Sequence, residues 1–144
     1  MAAVRDLLAR KSGEIVTVSG DTTVLDASIL MVERGIGGVM VTESGHLAGI
    51  FTERDVLRRV VAVQRDPATT LVQDVMTTPV LTVTADTPLE ECRAVMTDRR
   101  IRHLPVLGQT GLIGLVSAGD VLAFEVAERQ ATIQHLESYV YYVR

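Results

Sequence analysis

The sequence is poor in cysteine and in aromatic side chains. Its 144 residues include one cysteine, Cys92, and three histidines, and only 3% are Phe, Tyr or Trp. One thiol and three scattered imidazoles exclude a disulfide framework and a zinc scaffold. Hydrophobic residues nevertheless make up 47% of the chain, which excludes intrinsic disorder and predicts a core built from aliphatic side chains.

Positive charge and long apolar runs are also scarce. The net charge is −4, whereas proteins that bind nucleic acid polymers carry basic surfaces and often stacking aromatics. No apolar run approaches the length of about 18 residues that a membrane span needs. Charged residues follow Met1 closely, so the N-terminus does not have the apolar stretch of a signal peptide. The sequence therefore predicts a cytoplasmic protein, an environment that the single cysteine also fits. Of its 14 basic residues, 13 are arginine, and Lys11 is the only lysine.

The chain contains an internal duplication. Residues 15–57 align with residues 80–122 at a constant offset of 65, with 13 of 43 positions identical, where chance gives roughly three. Residues 4–8 also match residues 72–76, but at an offset of 68, so the first repeat has three extra residues between Ala9 and Glu14. We assign residues 4–62 to the first repeat and 71–126 to the second. Residues 127–144 are predicted to form a C-terminal helix or tail at an interface.

Each repeat has the pattern β-α-β-β-α. The β-branched runs 15–18 and 80–83 predict strands, and helices are predicted to run to about Arg34 and Arg99. Hairpins follow, and Thr52 and Ser117 are placed to cap the last helices. A unit of about 60 residues is marginally stable alone. We therefore predict an α+β fold in which the tandem repeats pack sheet to sheet, with pseudo-twofold symmetry and one shared core.

The last strand of each repeat leads into a duplicated motif, Gly-x-x-Thr/Ser-x-x-Asp. The motif ends at Asp55 in the first repeat and at Asp120 in the second. The hydroxyl and the first-turn amides of such a helix can bind an anion, and the carboxylate can accept hydrogen bonds from the vicinal hydroxyls of a ribose. A capping box, which needs no ligand, explains the same spacing. Arg54 adds a cation suited to phosphate beside the first copy, where the second has Gly119.

In this order, the strings Val72–Val83, Arg100–Val106 and the two motifs resemble paired CBS motifs, which form a Bateman module. The tail from Thr132 resembles that of small stand-alone bacterial members. The resemblance implies an adenosine-containing ligand, such as AMP, ADP, ATP, NAD or S-adenosylmethionine. It also implies a disc-shaped homodimer, parallel or antiparallel.

The resemblance further implies two clefts, each of which combines the motif of one repeat with the first strand of the other. The residues expected at the first cleft are Thr52, Arg54, Asp55, Gly38, Thr78, Pro79, Val80 and Leu81. Those expected at the second cleft are Ser117, Asp120, His103, Arg102, Lys11, Ser12, Ile15 and Val16. In both clefts the Asp would bind ribose hydroxyls, the Thr or Ser would reach ribose or phosphate, and apolar strand residues would hold adenine.

Three kinds of function remain open. The first is a regulatory module without catalytic activity that binds an adenine nucleotide, with AMP preferred, NAD(H) next, ADP or ATP possible, and an unidentified protein as the regulated partner. The second is a dimeric structural adaptor that binds a partner protein with empty clefts. The third is an enzyme, which is the hypothesis with the least support because the sequence has no Ser/His/Asp set, metal cluster or phosphate-cradling glycine loop. No catalytic residue, catalytic cofactor or metal is therefore expected, and Cys92 is assigned to the core.

Overall fold

Two similar series of helices and strands follow one another along the chain. The computed structural model describes residues 1–11 and 14–129. The elements of the first half are α1 (Val4–Arg10), β1 (Thr17–Ser19), α2 (Val24–Arg34), β2 (Gly38–Glu43), β3 (His46–Thr52) and α3 (Glu53–Asp55), which continues as a π-helical segment over Val56–Val61. Those of the second half are α4 (Val72–Val75), α5 (Leu89–Arg99), β4 (His103–Gly108), β5 (Gly111–Ser117) and α6 (Ala118–Ala127).

The bounds of α2 follow from its capping residues. The Thr23 side chain accepts a hydrogen bond from the Asp26 amide at 3.1 Å, which satisfies one of the free N–H groups of the first turn. Gly35 ends the helix with a φ of 63°, a left-handed conformation that glycine adopts without strain. Helix α5 ends at the equivalent position, where Arg100 has a φ of 55°. The predicted helix ends at Arg34 and Arg99 are confirmed.

The strands form two small sheets. In the first, β1 pairs with β2 in parallel and β2 pairs with β3 antiparallel, and in the second β4 pairs antiparallel with β5. The strand predicted over residues 80–83 was wrong, because only Val83 pairs with Val106, in an isolated parallel bridge. Pro79 offers no N–H to a ladder at the start of this segment. The predicted strand over residues 15–18 is shifted and becomes Thr17–Ser19.

The first helix of each repeat, α1 or α4, crosses to the other repeat and packs there. Val4 and Leu7 of α1 are buried in a cluster with Cys92 and Leu104 of the second repeat. Val72 and Val75 of α4 belong instead to the cluster of the first repeat. Backbone hydrogen bonds fix these two crossings of a helix to the other repeat. The Val4 amide donates to the Thr87 carbonyl at 2.9 Å, and the Val72 amide donates to the Thr22 carbonyl at 2.8 Å. Among the residues that the structure describes, two apolar clusters take the place of the predicted shared core, and each uses residues from both halves.

The two sheets meet where β3 contacts β5. This contact brings the ends of β3 and β5, where the duplicated motif begins, to the same region between the repeats. Over residues 1–11 and 14–129 no helix combines the length and apolarity that a membrane span needs. The tail predicted to begin at residue 127 starts within α6, and its residues 130–144 lie outside the described part of the chain.

Candidate functional site

A cavity of about 500 Å³ lies between the repeats, at the ends of β3 and β5. Its walls come from the duplicated motif, from the segment that follows α4 and from the start of β4. The lining residues are Gly37, Ile50, Thr52, Glu53, Arg54, Asp55, Arg58, Arg59, Thr77, Pro79, Val80, Leu81, Ile101, Arg102, His103, Ser117, Ala118 and Gly119. This volume is in the range of small-molecule sites in proteins.

Asp55 lies at the base of this cavity and is only 5% exposed. Its Oδ2 accepts a hydrogen bond from the Thr52 amide at 3.0 Å, and its Oδ1 accepts one from the Thr77 hydroxyl at 2.9 Å. The Nε atom of Arg59 lies 3.8 Å from the same Oδ1. The carboxylate therefore caps the helix, as the simpler interpretation of the motif predicts. It also keeps acceptor capacity, because a carboxylate offers about four lone-pair positions.

Arg54 bridges the two repeats. Its Nη1 donates to the carbonyl of Arg100 at 2.6 Å, which is one of the free carbonyls at the end of α5. The side chain is exposed and lines the cavity. Because a guanidinium carries five N–H donors in a rigid fork, four remain for other acceptors. The sequence predicted that Arg54 lies beside the cleft, but it did not predict the contact of Arg54 with the second repeat.

Arg58 and Arg59 also line the cavity, although sequence reasoning missed them. Arg59 Nη1 donates to the Met76 carbonyl at 2.7 Å, which ties the π-helical segment to the end of α4. A signal for Arg58 was present, since it lies four residues after Arg54 and such residues share one helix face. π-helical turns are frequent at functional sites because they redirect side chains within a helix.

The wall opposite the motif is formed by Thr77 and the apolar side chains of Pro79, Val80 and Leu81. Thr77, rather than the predicted Thr78, contacts Asp55, and Thr78 is exposed outside the lining. Gly38 is likewise not a lining residue, whereas its neighbour Gly37 is. Each of these two predicted residues is the chain neighbour of a residue that lines the cavity.

Several residues expected at the second cleft lie instead on this same cavity. Arg102, His103 and Ser117 line it together with the residues of the first cleft. Burial of the His103 imidazole lowers its pKa below the usual 6.5, and the nearby charge of Arg102 lowers it further. His103 is therefore mostly neutral at pH 7 and can both donate and accept a hydrogen bond.

Asp120 is paired with Lys11. The Nζ of Lys11 donates to Asp120 Oδ2 at 2.8 Å and to the Leu115 carbonyl at 2.6 Å. Partial burial alone raises the pKa of the Asp120 carboxyl, but the hydrogen bonds from Lys11 and the Ser117 amide outweigh it and hold the pKa below its usual value. Among the remaining residues predicted there, Ile15 is 46% exposed, Val16 packs against the apolar cluster of the first repeat, and Ser12 lies outside the described residues.

The cavity carries excess positive charge, although the chain as a whole is acidic. The guanidinium groups of four arginines oppose two carboxylates in its lining: Arg54, Arg58, Arg59 and Arg102 against Glu53 and Asp55. Walls of low dielectric strengthen the field that such a group of charges produces. The cavity is therefore suited to a ligand that combines hydroxyl donors, for Asp55, with an anionic group.

The sequence profile of the CBS domain matches residues 4–62 and 72–127. The chain belongs to the CBS-domain family. The CBS-domain protein YhcV of Bacillus subtilis is 32% identical over 131 residues, which are 91% of this chain and 91% of YhcV. The mitochondrial CBS-domain protein CBSX3 of Arabidopsis thaliana is 41% identical over 125 residues, but these are 83% of this chain and only 61% of CBSX3.

Similarity to solved structures supports the same family assignment. A CBS-domain protein of Burkholderia ambifaria has a TM-score of 0.85 and 41% identity, and the match covers 88% of this chain and 95% of that one. The CBS domain pair of protein MJ0100, solved with 5′-methylthioadenosine and S-adenosyl-L-methionine, shares the fold with a TM-score of 0.76 at 21% identity, over 88% of this chain and 98% of that one. The predicted CBS pair, its α+β fold and the likeness to small stand-alone members are confirmed.

Proposed function

We propose that this CBS pair is a regulatory module that binds an adenine nucleotide, preferably AMP, and has no catalytic activity of its own. The observation that carries the proposal is the cavity, which places a buried carboxylate, four guanidinium groups and an apolar wall around one space of about 500 Å³. These three features match the three parts of a nucleotide: its ribose, its phosphate and its base.

Asp55 is the proposed ribose ligand. The backbone amide of Thr52 and the hydroxyl of Thr77 already hold its carboxylate in one orientation. Vicinal ribose hydroxyls would add donors to lone pairs that these contacts leave free. A carboxylate whose orientation is fixed before the ligand arrives needs no reorganisation on binding, which favours affinity.

Arg54 and Arg58 are the proposed phosphate ligands, since both line the cavity one helical turn apart. The planar fork of a guanidinium matches two phosphate oxygens at once. This positive charge favours a phosphorylated adenosine over an uncharged nucleoside. The structure of protein MJ0100 contains two adenosine-derived ligands, which supports adenosine as the common part of the ligand.

Pro79, Val80 and Leu81 are proposed to hold the adenine ring. The wall has no aromatic platform, so the ring would be held by aliphatic side chains and backbone groups. NAD(H), ADP and ATP extend the AMP structure at its phosphate, and the guanidinium of Arg102 lies further along the same cavity. These longer ligands are therefore alternatives to AMP.

Regulation would follow from a change in how the repeats or the protomers are arranged. A ligand shifts such an equilibrium only if it binds the two arrangements with different affinity. Because the cavity is built from both repeats, a bound nucleotide would contact both at once, as Arg54 already does through the Arg100 carbonyl. The regulated protein remains to be identified, and the cytoplasmic location stays a prediction.

A homodimer is the proposed assembly, and an adaptor that works with empty clefts is the second candidate function. Both are supported by apolar side chains that are exposed on two helical segments of the first repeat: Leu25, Ile29 and Val32 of α2, and Leu57 and Val61 of the π-helical segment. Val32 is 81% exposed, and exposed apolar clusters of this kind mark protein interaction sites.

Mass spectrometry of small molecules released from the purified protein tests the proposal, together with calorimetric titration of the emptied protein with AMP, NAD, ATP and adenosine. We expect a retained or titratable adenine nucleotide, with AMP binding more tightly than adenosine. The adaptor function is favoured instead if no adenine nucleotide binds at millimolar concentration while the protein is folded and dimeric.

A further inference from the structure

Asp55 and Asp120 hold equivalent positions in the two repeats but have different partners. In the first repeat, Thr77 exchanges two backbone hydrogen bonds with Ile50, at 2.8 and 3.0 Å. The Thr77 hydroxyl then donates to Asp55 at 2.9 Å. One residue of the segment after α4 therefore binds both the last strand of the repeat and the carboxylate of the motif.

In the second repeat, the Lys11 side chain makes both kinds of contact. Leu115 is the equivalent of Ile50, and its carbonyl accepts a hydrogen bond from Lys11 Nζ at 2.6 Å. The same ammonium donates to Asp120 at 2.8 Å. Within the part of the chain that the structure describes, a side chain here takes the place of the backbone and hydroxyl contacts of a threonine.

The extra residues of the first repeat explain the replacement. Helix α1 runs to Arg10, whereas α4 ends at Val75. Leu8 and Met76 are equivalent at the offset of 68, and they face the equivalent glycines Gly114 and Gly49. Beyond this point α1 continues as helix to Arg10, whereas the chain after α4 is extended and pairs Thr77 with Ile50. The long side chain of Lys11 spans the distance instead.

The two arrangements differ in charge. Asp55 accepts a hydrogen bond from a neutral hydroxyl, and the nearest cation, Arg59 Nε, lies 3.8 Å from its Oδ1, whereas Asp120 accepts directly from an ammonium at 2.8 Å. A hydroxyl can rotate to accept a hydrogen bond, whereas an ammonium only donates. The Lys11 and Asp120 side chains are 37% and 27% exposed. Solvent therefore reaches the pair, and it can open without unfolding the repeat.

We propose that Lys11 is a resident cation that occupies the second cleft and keeps Asp120 from binding ribose hydroxyls, so that the chain binds one nucleotide, at the cavity around Asp55. This inference rests on the proposed function, because it concerns the number of nucleotides bound per chain. It also assigns a role to the only lysine of the sequence: the ammonium competes with the ligand for one carboxylate.

Calorimetric titration with AMP tests the proposal on three full-length proteins: wild type, Lys11→Met and Arg10→Met. Methionine keeps the apolar stem of lysine and removes the ammonium. Arg10→Met removes the same charge one residue away, where the side chain contacts Glu128 and Phe124 rather than the cleft. We expect one AMP per chain for wild type and Arg10→Met, and for Lys11→Met a second AMP bound at least tenfold more tightly than any second event in wild type.

Each other outcome has a definite meaning. Two equal sites in wild type, one site in Lys11→Met, or a loss of binding in Lys11→Met would overturn the role of Lys11, and the last would identify Lys11 as a phosphate ligand. If wild type binds no AMP, the proposed function fails. The role of Lys11 then survives only if Lys11→Met gains a site.

A second measurement avoids the substitution. Reductive methylation with a 13C label keeps the lysine charge and gives one side-chain signal, because the chain has a single lysine. The N-terminal amine is methylated as well and gives a separate signal. We expect this signal to titrate with Asp120 at acidic pH and to stay unchanged while AMP saturates the first site. A large shift of the signal during that saturation would overturn the proposal.

Discussion

Gly38 and His103 occupy equivalent positions in the two repeats and lie against each other across the pseudo-twofold axis. A β-carbon on Gly38 would lie 3.3 Å from His103 Nε2. A side chain at position 38 would therefore press against the imidazole, which would have to move by a few tenths of an ångström. The imidazole is partly buried by this contact and still lines the cavity, so its protonation responds to the cavity's contents.

His103 is expected to take up a proton when a nucleotide binds. Burial and the charge of Arg102 lower its pKa in the free protein. A phosphate group in the cavity favours the imidazolium and raises this pKa, so the affinity for AMP increases as pH falls through the pKa of the complex towards the lower pKa of the free protein. NMR titration of the imidazole signals with and without AMP measures the shift. The exposed His46 is the control, and equal pKa values for His103 in both states would place the phosphate elsewhere.

Asp55→Asn is expected to weaken AMP binding about 5- to 150-fold, which corresponds to about 1–3 kcal/mol for hydrogen bonds to a charged group. The matched control is Asp26→Asn. Asp26 is also the third residue of a helix behind a threonine cap, but it lies on α2, outside the cavity lining. Calorimetry gives the affinities, and thermal unfolding shows whether each variant folds. Equal affinity for wild type and Asp55→Asn would remove Asp55 from the site.

Arg54→Ala is expected to weaken binding of AMP more than binding of adenosine, because a guanidinium acts mainly on the phosphate. Loss of the hydrogen bond to the Arg100 carbonyl affects both ligands alike, so the ratio of the two affinities isolates the phosphate contact. Arg65→Ala removes the same charge from an exposed position outside the lining and is the control. An unchanged ratio would argue against a phosphate role for Arg54.

The Lys11–Asp120 pair is expected to stabilise the fold by about 0.5 kcal/mol at pH 7, the range of a partly exposed ion pair. Because the folded pKa of Asp120 is depressed, this contribution is present above the unfolded value of about 3.9 and is lost as pH falls through the folded pKa. Urea unfolding of wild type and Lys11→Met at pH 7, 5 and 3 measures the difference. A difference that is equal at pH 7 and pH 3 would show that the ion pair is not its source.

Val32→Glu is expected to convert a dimer into a monomer at micromolar concentration, because it introduces a charge into the exposed apolar face of α2. Ile113→Glu is the control, since Ile113 is an exposed apolar residue of β5 on the hairpin of the second repeat. Light scattering gives the masses. A monomeric wild type would count against the dimer, and a dimeric Val32→Glu against this face.

The parts of the fold that depend on local signals were predictable. Helix α2 carries its own cap at Thr23 and its own stop at Gly35, and the hairpins follow from alternation and turn residues. That α1 and α4 each cross to the other repeat was not predictable. Apolar residues such as Val4 and Val72 indicate that their helix is packed against a sheet, but they do not indicate which sheet. The segment 80–83 has strand composition, but a residue's propensity does not supply the partner strand that a ladder requires.

The site was predictable where the duplicated motif determines it. Thr52 and Asp55 lie on the cavity because a strand end and a helix cap are local features. The partners of Arg54 and Lys11 were not predictable, since a long flexible side chain reaches acceptors that are distant in sequence, Arg100 for Arg54 and Asp120 for Lys11. The structure places His103 on the cavity that contains Asp55, a position that spacing does not predict because it does not show where equivalent segments meet.

The crossing of α1 and α4 makes the two halves depend on each other for folding. Each half expressed alone would lack two buried valine or leucine side chains of its apolar cluster and would expose the groove that receives them. A backbone cut in the exposed connector around Pro67 leaves both crossings intact, so the fragments would remain bound and could reassemble from separate chains. Intact, the protein is expected to unfold in one cooperative transition despite its two clusters.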